Sequence, residues 1–158
     1  MRSRLFLSFA VLMLCLATGM KAGQSSRTTP EARQAILDYP LNLQRANQLL
    51  AALPEMTKYV ASLSPEALKR AVARTPAEQL TAMEKEPKVA AILKQNGLTA
   101  KDYVTGVPAL RIALWLAEGL PSGPTVFASP ANLAFAKANL AQLRPKWEAV
   151  DGTARPAK

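Results

Sequence analysis

Few residues in this chain could do chemistry, and the types that are missing narrow the choice first. There is no histidine, and the single cysteine, Cys15, lies in an apolar N-terminal run. A serine or threonine nucleophile would therefore lack an imidazole base, and no Ser-x-x-Lys occurs beyond residue 22. With Cys15 set aside, disulfides, the usual cysteine–histidine zinc sites and haem ligation by either residue are excluded. We expect no metal site and no cofactor. Carboxylates remain, and glycan-cleaving enzymes need only Asp and Glu. The candidates are Glu78, Glu84, Glu86, Asp102 and Glu118. Most sit beside lysine or at a helix start, where the helix dipole already accounts for them. None sits in an apolar motif that would raise its pKa. The expectation is a protein that is not an enzyme, with a carboxylate-based glycan-acting enzyme as an alternative.

Binding chemistry has more material. Arg111 lies in the apolar run between Tyr103 and Leu120. An unpaired buried guanidinium is costly. Its stem can lie along the surface with the head in water, or it can pair with Asp102, Glu118 or carbonyls freed by Pro108. A ligand carboxylate or phosphate is a further partner. Asn132, Phe135 and Asn139 follow at i, i+3 and i+7, on one helical face beside Leu133 and Leu140. Two amides flanking a phenyl ring suit a polar ligand. Equally, such amides bond loop backbone, and residues 121–129 are the natural loop. With Tyr103 and Trp115 these residues form the candidate ligand-binding set. They would hold a small apolar or amphiphilic molecule between the central helix and the 133–147 stripe.

The elements that must position these residues read as helices. Thr29-Pro30-Glu31, Ser64-Pro65-Glu66 and Ser129-Pro130 place an N-capping oxygen before a proline at the first helical position. Thr75-Pro76-Ala77-Glu78 and Thr99-Ala100-Lys101-Asp102 are capping boxes. Apolar residues step by three and four through Leu43, Ala46, Leu50 and Leu53, and through Leu133, Ala136, Leu140, Leu143 and Trp147. The spacing predicts helices over about 30–38, 41–52, 55–62, 65–73, 76–84, 86–95, 100–118 and 130–143. Pro54 is expected to restart the chain, Gly106 and Pro108 to bend it, and Pro145 to end or kink the last helix. Asn96-Gly97 is a helix stop. The fold class is all-α: a compact bundle of six to eight short helices around a buried central helix at about 107–118. That helix is too short, and too interrupted by Gly106, Pro108 and Arg111, for a membrane span.

The N-terminus carries an address. Arg2 and Arg4 precede a 13-residue apolar core, Leu5 to Ala17, and small residues follow. This is the pattern of a secretory signal peptide, about 1–22, with an uncleaved signal anchor as the alternative. A disordered leader at 23–29, a single helical domain at 30–147 and a flexible tail at 148–158 complete the division. The full chain of 158 residues carries 20 basic and 11 acidic residues. Cleavage after residue 22 removes Arg2, Arg4 and Lys21, leaving 17 against 11, or +6. The basic residues are spread out, and aromatics are only 6% of the chain and not interleaved with them, so no nucleic-acid partner is expected. An exported basic protein meets anionic envelope components or envelope proteins instead.

From "ILKQNGLTAKDYV" through the apolar helix to "SPANLAFAKAN", about residues 89–144, the chain resembles small exported α-helical proteins of proteobacteria. They share a Gly-Leu-Thr helix start, an apolar helix and a Pro-x-Asn helix near the C-terminus. The resemblance implies export and an α-helical fold, and it brings no catalytic residue. The functional expectation is a periplasmic or secreted, non-enzymatic helical protein with an interaction or accessory role. A carrier of a small apolar or amphiphilic ligand is the first alternative.

Overall fold

Thr29 opens the described fold. Its hydroxyl accepts a hydrogen bond from the Ala32 N–H at 3.2 Å, and α1 runs from Pro30 to Asp38. The computed structural model describes residues 29–72, 76–119 and 127–151. Asn42 caps α2 (Leu43–Ala61) through the Arg45 N–H at 2.8 Å, and Ser64 caps α3 (Pro65–Val72) through the Ala67 N–H at 3.2 Å. Then come α4 (Pro76–Lys85), α5 (Pro87–Gln95), α6 (Ala100–Ala117) and α7 (Pro130–Asp151). The described residues form seven helices and no strand, an all-α fold. The expected signal peptide, nearly all of the leader and the capping threonine Thr75 lie outside the described residues.

Between α5 and α6 the chain turns as its residue types require. Gly97 takes φ +65°, a left-handed conformation that costs glycine nothing. The Leu98 N–H reaches back to the Leu93 carbonyl at 2.9 Å and the Gly97 N–H to that of Lys94 at 3.1 Å, which closes α5 as a Schellman motif. The next helix starts two residues later. The Asp102 N–H donates to the Thr99 hydroxyl at 3.0 Å and the Thr99 N–H to the Asp102 carboxylate at 2.9 Å. This reciprocal box satisfies two donors that a helix start would otherwise orphan.

Helix α6 is the centre of the domain. It packs most extensively on α7 and also touches α1, α2, α4 and α5. Its buried residues include Tyr103, Gly106, Val107, Ala109, Leu110, Ala113 and Leu114. Leu49 from α2 and Leu143 from α7 join Leu110 as the largest fully buried side chains. Each such burial contributes roughly 1.5–3 kcal/mol before the entropy of ordering is set against it. Helix α3 joins none of the larger helix–helix contacts.

Pro54 does not restart the chain and Pro145 does not end the last helix, contrary to those expectations. Helix α2 runs unbroken through Pro54, α6 through Pro108 and α7 through Pro145. An interior proline forfeits one helix bond and crowds the preceding turn, at about 3 kcal/mol. The apolar stripes outweigh that cost because they stay in register on both sides. Leu49, Leu50 and Leu53 precede or abut Pro54, and Met56 and Val60 follow it, all buried. Likewise Leu143 before Pro145 is buried, and Trp147 and Val150 after it pack on the core. Hence 41–52 and 55–62 are one helix. The last helix reaches Asp151, four residues into the segment expected as tail.

Candidate functional site

The second half of α2 carries Met56, Tyr59, Val60 and Leu63 past the edge of the main core. There the short helices α3 and α4 come over it without filling the space. What results is a groove of about 780 Å³, within the roughly 300–1,000 Å³ range of small-molecule sites. Its floor is buried: Met56, Val60 and Val89, with Tyr103 from α6. Its half-buried wall includes Tyr59, Leu63, Leu68 and Met83. At the exposed rim Arg70 and Lys85 stand with Glu78, while Glu86 lies half-buried. The charges there are mixed, so the rim does not select for either sign. The lining is chiefly apolar, and two methionines make it adaptable, because an unbranched thioether chain repacks easily.

One polar atom in this lining has no partner among the described residues. The Tyr103 hydroxyl is buried and makes no hydrogen bond. Burial raises the phenol's pKa well above its ordinary value of 10.0, so it stays protonated and remains a donor. An unmet buried donor costs about 1–3 kcal/mol.

The other candidate residues are used elsewhere. Asn132 is buried and bonds loop backbone, that of the link between α1 and α2, while residues 121–126 of the loop expected as its partner lie outside the described residues. Its amide nitrogen donates to the Tyr39 carbonyl at 2.8 Å and its oxygen accepts from the Leu41 N–H at 3.1 Å. It therefore latches α7 to the link between α1 and α2. Asn139 donates to the Phe135 carbonyl one turn back at 2.8 Å, and the half-buried Phe135 packs against the core. Arg111 lies with its guanidinium 5.6 Å from the centroid of the Trp115 ring, a cation–π contact at a ring that is 37% exposed. The face between α6 and α7 is filled by Leu110, Ala113, Ala136 and Leu143, each fully buried. Of the six candidates only Tyr103 lines the groove.

The carboxylates also have structural work. Asp102 closes the capping box and lies 3.8 Å from the Arg45 guanidinium. Glu118 lies 3.7 Å from Arg144, and Glu86 caps α5 through the Lys88 N–H at 3.4 Å. Among the described residues no cluster of three or more possible metal ligands occurs, and no helix is long and apolar enough to cross a membrane.

The groove was legible only in part. The Met56, Tyr59, Val60, Leu63 stripe marks a helix face needing cover, but the sequence gives no sign that α3 and α4 cover it incompletely. No protein-family model, curated protein or solved structure matches the chain.

Proposed function

We propose that this chain is an exported, non-enzymatic binding protein whose groove takes up a small apolar or amphiphilic ligand. The observation that carries the reading is the apolar groove between α2, α3 and α4, with a buried floor and a solvent-facing rim. The charged N-terminal residues and the 13-residue apolar core support export to the periplasm or beyond. An accessory role in the envelope then acquires a chemistry: capture of a molecule too apolar to travel freely in water. The carboxylates favour this over glycan cleavage, since Asp102, Glu86 and Glu118 are engaged in caps and ion pairs.

The test is to express the full chain in a proteobacterial host and purify it from the periplasmic fraction. The protein is then extracted with organic solvent and the extract read by mass spectrometry. An amphiphile retained by the native protein, and lost from an Ala67→Trp variant that fills the groove, is the expected result. A clean extract, together with no saturable uptake of apolar probes, removes the carrier reading.

A further inference from the structure

The groove has one feature that an apolar slot does not need, the donor at Tyr103. Resting on the binding reading above, we propose that Tyr103 is the polar recognition point of the groove, its hydroxyl donating to a carbonyl or ether oxygen at the inserted end of a neutral, mainly apolar ligand.

The geometry limits the ligand from several sides. Met56, Val60 and Val89 surround the floor with apolar atoms, each no more than 7% exposed. Among the described residues a carboxylate or phosphate brought there would lose its hydration without a cation to receive it, since the basic residues of the described lining, Arg70 and Lys85, stand at the exposed rim. A hydrocarbon would fit but would leave the phenol unmet. A neutral oxygen acceptor on an apolar body satisfies both conditions. The hydroxyl itself is closed from solvent, so the inserted end must displace part of the lining to reach it. Met56 and Met83 supply side chains that rearrange at little cost, and α3, with its sparse packing, is the wall least held in place.

Tyr103 is thus assigned a role that its burial alone would not predict. Any core position tolerates phenylalanine in place of an unbonded tyrosine, and removing an unmet buried donor favours the fold. A tyrosine kept for recognition, by contrast, weakens the empty protein and strengthens the occupied one.

Two fluorescent probes separate these roles in the full chain. Prodan is a naphthalene with a ketone acceptor; N-phenylnaphthylamine has similar apolar bulk and no carbonyl. Both are titrated into the wild type, Tyr103→Phe and Ala67→Trp, with thermal unfolding run alongside. Tyr103→Phe should weaken prodan binding by about tenfold, the loss of one hydrogen bond, and shift bound prodan emission to the blue. Its affinity for N-phenylnaphthylamine should stay within about twofold, because that probe makes no such bond. The melting temperature of Tyr103→Phe should not fall. Ala67→Trp should abolish both. If Tyr103→Phe leaves prodan unchanged, or weakens both probes alike, the hydroxyl has no recognition role although the groove still binds. If neither probe saturates the wild type, or Ala67→Trp leaves both bound, the groove reading itself fails.

Discussion

Asp102 and Tyr103 are neighbours in the chain, yet they serve two opposite regions of the molecule. Asp102 faces the link between α1 and α2. There it accepts from the Thr99 N–H and hydroxyl, at 2.9 and 2.7 Å, and from the Tyr39 hydroxyl at 3.4 Å, with Arg45 beside it. Tyr103, about 100° further round the helix, lines the groove, and its buried hydroxyl has no partner among the described residues. On the first side the backbone is latched as well, through the two bonds of Asn132. On the second, short helices cover an apolar floor without closing it. One face of the first turn of α6 is thus built to specify structure, and another leaves a donor unmet. Two buried side-chain atoms, the Gln48 amide oxygen and the Tyr103 hydroxyl, have no partner among the described residues, and of the two residues only Tyr103 lines the groove, which is where the difference between the two faces directs a search for function.

The largest effect should come from the closed side. A β-carbon on Gly106 would stand 2.8 Å from two atoms of the Tyr39 ring and 2.9 Å from the Leu49 side chain. Glycine in a helix interior costs about 1 kcal/mol relative to alanine. It is kept here because Tyr39 and Leu49 are both buried and have little freedom to give. Gly106→Val should therefore destabilise the protein by about 3 kcal/mol, from overpacking, as read by denaturant unfolding. A loss below about 1 kcal/mol would mean that this side yields as easily as the groove, and the contrast would be broken.

The latch comes next. Asn132→Ala removes both bonds at once and strands the Tyr39 carbonyl and the Leu41 N–H. The expected loss is about 2 kcal/mol. Hydrogen exchange sharpens the comparison, because faster exchange at Leu41 with unchanged rates along α3 would confine the damage to the closed side. Equal acceleration in both regions would show them to be one cooperative unit.

How much of this was legible in the sequence follows from how local each cause is. Thr99, Asp102 and Gly97 act within five residues of themselves, so the start of α6 and the stop of α5 could be read directly. A local rule predicts a restart at Pro54 and allows an end at Pro145, where distant packing decides instead. Leu53 and Met56 lie on one buried stripe, which carries the helix across Pro54. Gly106, expected with Pro108 to bend the chain, is a close contact whose partner, Tyr39, lies 67 positions away in the chain. Asn132 announced a backbone latch by residue type, yet its loop could not be named without the fold. The groove was the least legible, since it depends on space that α3 and α4 leave open, and no residue type encodes a space.

The smallest effect is also the one that isolates charge. Burial pushes the Asp102 carboxyl up, but the Thr99 hydroxyl and N–H, Arg45 and the Tyr39 hydroxyl together hold it below its ordinary value of 3.8. A folded pKa depressed in this way means stability that is present above the unfolded value and is lost as pH falls through the folded one. The wild type should therefore lose part of its stability below about pH 4. Asp102→Asn keeps an oxygen for the Thr99 N–H and removes the charge. It should cost about 1 kcal/mol at neutral pH, the scale of a weakened cap, and flatten that acid slope. The Arg45 pair adds little to this, since its side chain is 38% exposed and water screens it. Arg45→Met should therefore leave most of the slope in place. If Arg45→Met flattens the slope as fully as Asp102→Asn does, the ion pair and not the capping box holds the carboxylate. The closed side would then depend on a screened charge, with a marked sensitivity to salt.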